Sequence, residues 1–189
     1  MNIKLAVGIT TTGTIKTKTL FSLIQLFKKN EASLITWEGC NVHQSRINIV
    51  RTALKNDITH LLFVDSDMVF EPEALDTLLK RDKDIIGANY NMRKFPLTST
   101  IKIHDEKGIK IYEPKSDIFE CYAVPTGFML IKMDVFKKIP TPWFAYEFDE
   151  KGDMKTGSDI WFCNQARKAG FKIYCDPTIQ VGHIGDYVY

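Results

Sequence analysis

Residues 59–64 (THLLFV) form an apolar run with no polar face, and they lead directly into Asp65-Ser66-Asp67. A strand of that kind is satisfied only in the middle of a sheet that is covered on both sides. The surrounding chain supplies the rest of such a sheet. Residues 3–10 (IKLAVGIT), 32–37 (ASLITW) and 84–88 (DIIGA) read as further strands. Between them the apolar period lengthens. Leu20, Leu23, Ile24 and Phe27 follow i, i+3, i+4, i+7 along a helix from Lys16 to Lys28 and Lys29. Ile47, Val50, Arg51 and Leu54 mark a helix over 43–55. Leu75, Leu78 and Leu79 mark another, opened by Glu71-Pro72-Glu73, with proline and acids in its first turn. Strands alternating with helices predict a mostly parallel sheet with helices on both faces.

The second half is less regular. Residues 99–103 and 109–112 alternate around Asp105-Glu106-Lys107-Gly108, a hairpin pattern. Strands are predicted at 120–124 and 127–132, then a short helix at 134–138 and a break at Pro140-Thr141-Pro142. The polar, glycine-containing segment 147–157 reads as a mobile loop. A helix over 158–169 has Ser158 as its cap and Gly170 as its stop, and a last strand covers 171–175. No repeat or linker divides the chain, so a single α/β domain over residues 1–189 is expected.

Composition removes several classes. Lys and Arg number 25 against 23 Asp and Glu, too even a balance to argue nucleic-acid binding from charge. No apolar stretch approaches the ~18 residues of a membrane span, and residues 1–4 lack the pattern of a secretory signal. Cys40, Cys121, Cys163 and Cys175 are scattered without a CxxC, which argues against both a zinc site and a disulfide framework. A cytoplasmic location is the expectation.

Asp65 and Asp67 carry the first chemical signal. Two acids one residue apart, at the carboxyl end of a buried strand, stand where open α/β sheets bind ligands. They can converge on a hard divalent cation, or they can simply cap a turn; the buried strand before them favours the cation.

With its sequel, LLFVDSDMVF resembles the DxD region of GT-A-fold glycosyltransferases of the family-2-like kind. Three later segments are similar to the same family, in the family's order and within residues 3–185. Pro125-Thr126-Gly127-Phe128 resembles its glycine-containing strand at the sugar-binding centre. Gly157-Ser158-Asp159-Ile160-Trp161-Phe162-Cys163, continuing to Gly170, resembles its late acidic helix. Val181-Gly182-His183-Ile184-Gly185 resembles the segment that often holds a metal-binding histidine.

The resemblance implies a three-layer sandwich with a small antiparallel addition, a nucleotide-binding half over about 1–95 and an acceptor half over about 96–189. It implies an enzyme moving a hexose from a nucleoside-diphosphate sugar, most often UDP-linked, to a glycan or other hydroxyl acceptor, with inversion favoured over retention. Asp67 would bind Mn²⁺, or less readily Mg²⁺, and Asp65 would bind it through water or hold the ribose. His183 would complete the protein's ligands, against the plainer reading of a residue packed on Tyr187 or Tyr189. Thr10, Thr11, Thr12, Arg46, Ser66, Arg93 and Gly127 would contact the donor. Thr10 to Thr12 equally suit a helix cap, and Arg93 suits a surface arginine. Asp159 would be the general base, or else a helix-start acid favoured only by the helix dipole. Trp143, with Phe144 and Tyr146, would wall the acceptor or else belong to the core. Ser158 stands where the family commonly has Glu, and Asn48 is not carried over because Ile47 separates it from Arg46.

Three other classes share parts of the pattern. A haloacid-dehalogenase-type phosphatase has the same apolar-DxD motif, but near its start and with a late acid pair that is missing here. Sugar-phosphate nucleotidyltransferases need a Gly-rich basic first loop, whereas residues 10–18 hold one Gly and no Arg. A non-catalytic nucleotide-sugar-binding domain is the third, and the joint presence of Asp65, Asp67, Asp159 and His183 argues against it.

Overall fold

The structure is a computed structural model and describes residues 3–39, 41–105, 108–111 and 117–185. Cys40, Glu106, Lys107, Tyr112, Tyr187 and Tyr189, all invoked above, lie outside the described residues. In chain order the first half contains β1 (Leu5–Thr11), α1 (Thr17–Lys29), β2 (Ala32–Glu38), α2 (Val42–Lys55), β3 (His60–Asp65), β4 (Met68–Phe70), α3 (Ala74–Arg81) and β5 (Ile85–Ala88). A hairpin of β6 (Lys102–Asp105) and β7 (Gly108–Ile111) follows, then β8 (Phe119–Glu120), β9 (Phe128–Lys132) and α4 (Met133–Lys138). The remainder is β10 (Glu147–Phe148), β11 (Met154–Thr156), α5 (Ser158–Lys168), β12 (Tyr174–Asp176) and β13 (Val181–His183).

The main sheet has seven strands in the order β2-β1-β3-β9-β5-β12-β8. Five strands run the same way; β9 opposes β3 and β5 in the middle, and β8 opposes β12 at the edge. Three two-stranded sheets, β6-β7, β10-β11 and β4-β13, are added to it. The result is the three-layer, mostly parallel α/β architecture expected.

β3 is central, with Leu61, Leu62, Phe63 and Val64 almost wholly buried. Its side chains alternate between two cores, as the pleat requires. Leu61 and Phe63 join α2, α4 and α5 residues such as Ile49, Phe136 and Phe162, while Leu62 and Val64 join Leu23 and Leu26 of α1 and Leu75 and Leu78 of α3. Burying each such side chain stabilises the fold by about 1.5–3 kcal/mol. Helices on both faces are therefore what make an uninterrupted apolar strand tolerable.

Several local expectations are corrected. The buried face of α1 is Thr19, Ser22, Leu23 and Leu26, whereas Leu20 and Ile24 are exposed. Ser22 points inward because its hydroxyl accepts the Phe70 N–H of β4 at 3.1 Å, which turns the helix away from its most apolar stripe. On α2, Arg51 is exposed, and Arg46, Ile49 and Ala53 are buried in its place. Pro72 precedes α3, and the 120–124 strand is confined to β8.

The expected loop at 147–157 is largely the β10-β11 hairpin. The Asp149 carboxylate accepts the Lys151 and Asp153 N–H groups at its turn, and Glu147 binds Lys155 and Thr156 across the strands. No helix among the described residues is long and apolar enough to cross a membrane.

Candidate active site

β1 and β3 run parallel in register, with Thr10 beside Asp65, so both reach the same carboxyl edge of the sheet. A cavity of about 330 Å³ opens there. It gathers Thr10, Thr11, Thr12, Asp65, Ser66, Asp67 and Arg93, all singled out in the sequence, at the position where open α/β sheets take ligands. Thr14, Lys16, Gly39 and Val42 line it too. Thr10 donates its hydroxyl to Asp65 Oδ1 at 3.4 Å. The Thr11 hydroxyl closes the loop instead, donating to the Thr14 carbonyl at 2.7 Å and accepting the Gly13 N–H at 3.1 Å.

Asp67 is held differently. The chain turns at Ser66 and Asp67 into β4, and β13 pairs antiparallel with it, His183 opposite Met68. The Ile184 N–H donates to the Asp67 carbonyl at 2.9 Å. This backbone stitching brings His183 Nε2 to 3.6 Å from Asp67 Oδ2, while Arg93 Nη2 lies 3.0 Å from the same oxygen. Burial works to raise the Asp67 carboxyl, but the His183 ring and the Arg93 charge override it and hold the group below its ordinary range.

The opposite nitrogen of His183, Nδ1, is 3.1 Å from the Asn91 carbonyl. A carbonyl only accepts, so Nδ1 carries a hydrogen and Nε2 is the nitrogen turned toward the Asp67 carboxylate. This is the orientation in which a histidine presents itself to a metal, its far nitrogen fixed by a backbone acceptor. The separation also suits a shared ion. Bonds of about 2.1 Å put two ligand atoms ~3.0 Å apart at a right angle and ~4.2 Å apart in line, and 3.6 Å falls between. Asp67 and His183 therefore fit one divalent cation. Among the described residues no group of three or more His, Cys, Asp or Glu is placed to hold a metal, so further ligands would come from phosphate and water.

Asp65 turns the other way, with Oδ1 facing Thr10 and Arg46 Nη2, the latter at 3.4 Å. The Arg46 side chain is buried rather than presented to a donor. Its Nη1 donates to Ser158 Oγ at 2.7 Å, and its guanidinium lies 6.0 Å from the Phe144 ring centre. This corrects two expectations. Arg46 ties the end of β3 to the start of α5 instead of contacting the cavity, and Ser158 receives that arginine instead of capping its helix, whose N-cap is Gly157.

Asp159 follows on the first turn of α5, half-buried, with Oδ1 accepting the Ile160 N–H at 2.9 Å. Gly127 lies beneath the motif: its carbonyl accepts the Asp65 N–H at 3.1 Å and its own N–H donates to Tyr90 Oη at 3.2 Å. It supports Asp65 from below. The Tyr90 hydroxyl is pushed well above its usual value by burial, with the Asp65 and Asp159 charges adding to it.

The aromatic wall divides. Trp143 is buried against Phe136, whose carbonyl accepts its Nε1–H at 3.0 Å, and Phe144 is fully buried, so both are core residues. Tyr146 is half-buried, edge-on to His43 at 5.0 Å. Sequence reasoning missed Tyr90, Asn91 and Lys16. Asn91 acts through a backbone carbonyl and leaves no side-chain signal, while Lys16 was legible as a cation of the first loop.

These features define an α/β fold with a polar cavity, rich in hydroxyls and carboxylates, at the carboxyl edge of its sheet. No protein-family model matches the chain, and no curated protein does. Among solved structures the fold is similar to that of A197 from STIV, at 17% identity and a TM-score of 0.72, covering 97% of this chain and 87% of that one. Looser likenesses include the inositol-1-phosphate CTP transferase from T. maritima (9% identity, TM-score 0.47, 97% and 91% covered). A glycosyltransferase involved in glycosylation of the major capsid of PBCV-1 is another (14%, 0.37, 70% and 62%). The likeness to A197 is one of fold alone.

Proposed function

We propose that the chain is a metal-dependent glycosyltransferase that moves a hexose from a nucleoside-diphosphate sugar, UDP being the preferred carrier, to a hydroxyl acceptor. The observation that carries this reading is the Asp67 carboxylate facing the oriented Nε2 of His183, with Asp67 lining a hydroxyl-rich cavity. Mn²⁺ suits a mixed carboxylate and imidazole pair better than Mg²⁺. When bound, it would neutralise charge developing on the diphosphate leaving group.

The chain's own residues supply the rest. Thr10, Thr12 and Ser66 offer hydroxyls to the base and ribose, and Asp65, braced by Arg46, accepts a ribose hydroxyl. Arg93 is placed to meet phosphate oxygens, to which a guanidinium binds in a fork. Asp159 is the general base: it takes the proton from the acceptor hydroxyl as that oxygen attacks the anomeric carbon, giving inversion. Tyr146 and the β10-β11 hairpin stand on the acceptor side, in the half beyond residue 95. A haloacid-dehalogenase-type phosphatase is disfavoured because Asp65, the acid that would have to attack as nucleophile, is tied up by Thr10 and Arg46.

The test is thermal stabilisation by a panel of nucleoside diphosphates and their sugars, with and without Mn²⁺. UDP or a UDP-sugar should raise the melting temperature only when Mn²⁺ is present. Asp67→Ala should abolish that rise and His183→Ala should weaken it. If no nucleotide at millimolar concentration stabilises the protein, the reading is wrong.

A further inference from the structure

We propose that Arg93 is a displaceable counter-cation: it holds Asp67 until a divalent ion arrives together with its diphosphate, so that metal and nucleotide bind as a coupled pair. This rests on the reading of the site as a metal–nucleotide centre. The first observation is that one atom is claimed twice. Asp67 Oδ2, the oxygen facing His183 Nε2, is also the oxygen that Arg93 Nη2 approaches to 3.0 Å. A cation between Asp67 and His183 would sit within a few ångströms of the guanidinium, and like charges that close repel strongly in a partly buried site.

The second observation is where Arg93 stands. It lines both the 330 Å³ cavity, with Asp67, and a neighbouring cavity of about 540 Å³, with His183. The Arg93–Asp67 pair therefore runs along the border between the two. Arg93 is half exposed, and its stem lies beside Gly185, where even an added Cβ would keep 3.7 Å from Arg93 Cγ and Cδ. Swinging the guanidinium off Asp67 needs no rearrangement of the core.

Charge decides when it swings. A divalent ion entering alone finds the Asp67 charge already balanced by Arg93, and it leaves two positive charges uncompensated. A diphosphate brings the negative charge that both cations need, and its oxygens offer the guanidinium a better forked partner than one carboxylate oxygen. The metal alone is thus opposed by Arg93, and the metal with diphosphate is welcomed by it. Such coupling is commonly about 5- to 150-fold, and it is reciprocal between the two ligands.

The experiment titrates Mn²⁺ into the full chain, alone and with saturating UDP, following free Mn²⁺ by electron paramagnetic resonance. The variants are Arg93→Gln and Arg93→Lys, each checked for a native melt. Wild type should bind Mn²⁺ at least about fivefold more tightly with UDP present. Arg93→Gln should bind Mn²⁺ alone more tightly than wild type by a similar factor and lose most of the UDP enhancement. Arg93→Lys, which keeps the charge, should bind Mn²⁺ alone as weakly as wild type. If Arg93→Gln binds Mn²⁺ alone no better than wild type while UDP-dependent binding persists, the inference is overturned and the metal–nucleotide reading stands. If no protein binds Mn²⁺ even with UDP, both fall.

Discussion

Substituting Gly127 by alanine tests how the scaffold under Asp65 is built. A Cβ placed there would lie 2.3 Å from Tyr90 Oη, 2.8 Å from Tyr90 Cζ and 2.7 Å from Met68 Cε. Met68 Cε is the end of a flexible side chain and can retreat; the buried tyrosine ring cannot without disturbing its neighbours. Overpacking of this kind costs about 1–3 kcal/mol. Displacing the ring also strands the buried Gly127 N–H, at roughly another 1–3 kcal/mol.

A total near 4 kcal/mol, at ~2–4 °C per kcal/mol for a domain of this size, lowers the melting temperature by about 8–16 °C. Tyr90→Phe alone removes the same hydrogen bond without the clash and should cost about 1–3 kcal/mol. In the double variant the closest oxygen is gone and the lost bond is counted once. The pair should therefore be less damaging than the sum of the singles by at least about 1 kcal/mol. Chemical denaturation of the four proteins, read by circular dichroism, measures this. Additivity within ~0.5 kcal/mol, the behaviour of independent sites, would refute the packing argument.

Two further outcomes are expected. Asp159→Asn should leave the melt and Mn²⁺-dependent UDP binding unchanged while turnover falls by ~10²–10⁴ fold, as for loss of a general base; wild-type kcat in a folded variant would return Asp159 to a helix-start acid. The buried Asp176 carboxylate, which burial alone would raise, is held below its ordinary range by the Thr178 hydroxyl and by Arg81 at 2.7 Å. A lowered folded value means that this stabilisation is present above the unfolded value of about 3.9. It is lost as pH drops through the folded value. Asp176→Asn should thus cost about 2–3 kcal/mol at pH 7, less than a fully buried pair because Arg81 is partly in water. It should also flatten the acid limb of a stability–pH curve, and parallel curves would show that the pair does not act this way.

The parts legible in the sequence are those set by short-range pattern. The β3 run and the acids after it stand out because a two-faced burial demand and a turn at a strand end both leave contiguous signals. What failed to show is set by distant partners. Three-residue β4 and β13 have no periodicity of their own; each is a strand only because the other is present. The buried face of α1 departs from its apolar stripe because Ser22 bonds to Phe70, a tertiary contact outranking that stripe. Arg46 looked like a ligand-facing cation, and its burial became visible only with Ser158 and Asp65 around it. Trp143 was ambiguous between platform and core until Phe136 offered its carbonyl. Residues 147–157 carried the composition of a loop, yet the turn bonds of Asp149 organise them as a hairpin.

The stitching of β13 to β4 has a consequence for timing. The contact from His183 to Asn91 spans 92 positions and that from Arg46 to Ser158 spans 112. At ribosomal rates of ~5–20 residues per second, both acids of the motif are made many seconds before the segment that completes their surroundings. A half-finished chain thus exposes Asp67 without its histidine while its core is still forming. The same economy works in reverse. Three paired residues on each side are a small cooperative unit, and small units open before the core does. Under mild stress this pairing would open while the sheet behind it stays intact, so separation of His183 from Asp67 is an early sign of damage rather than a late one.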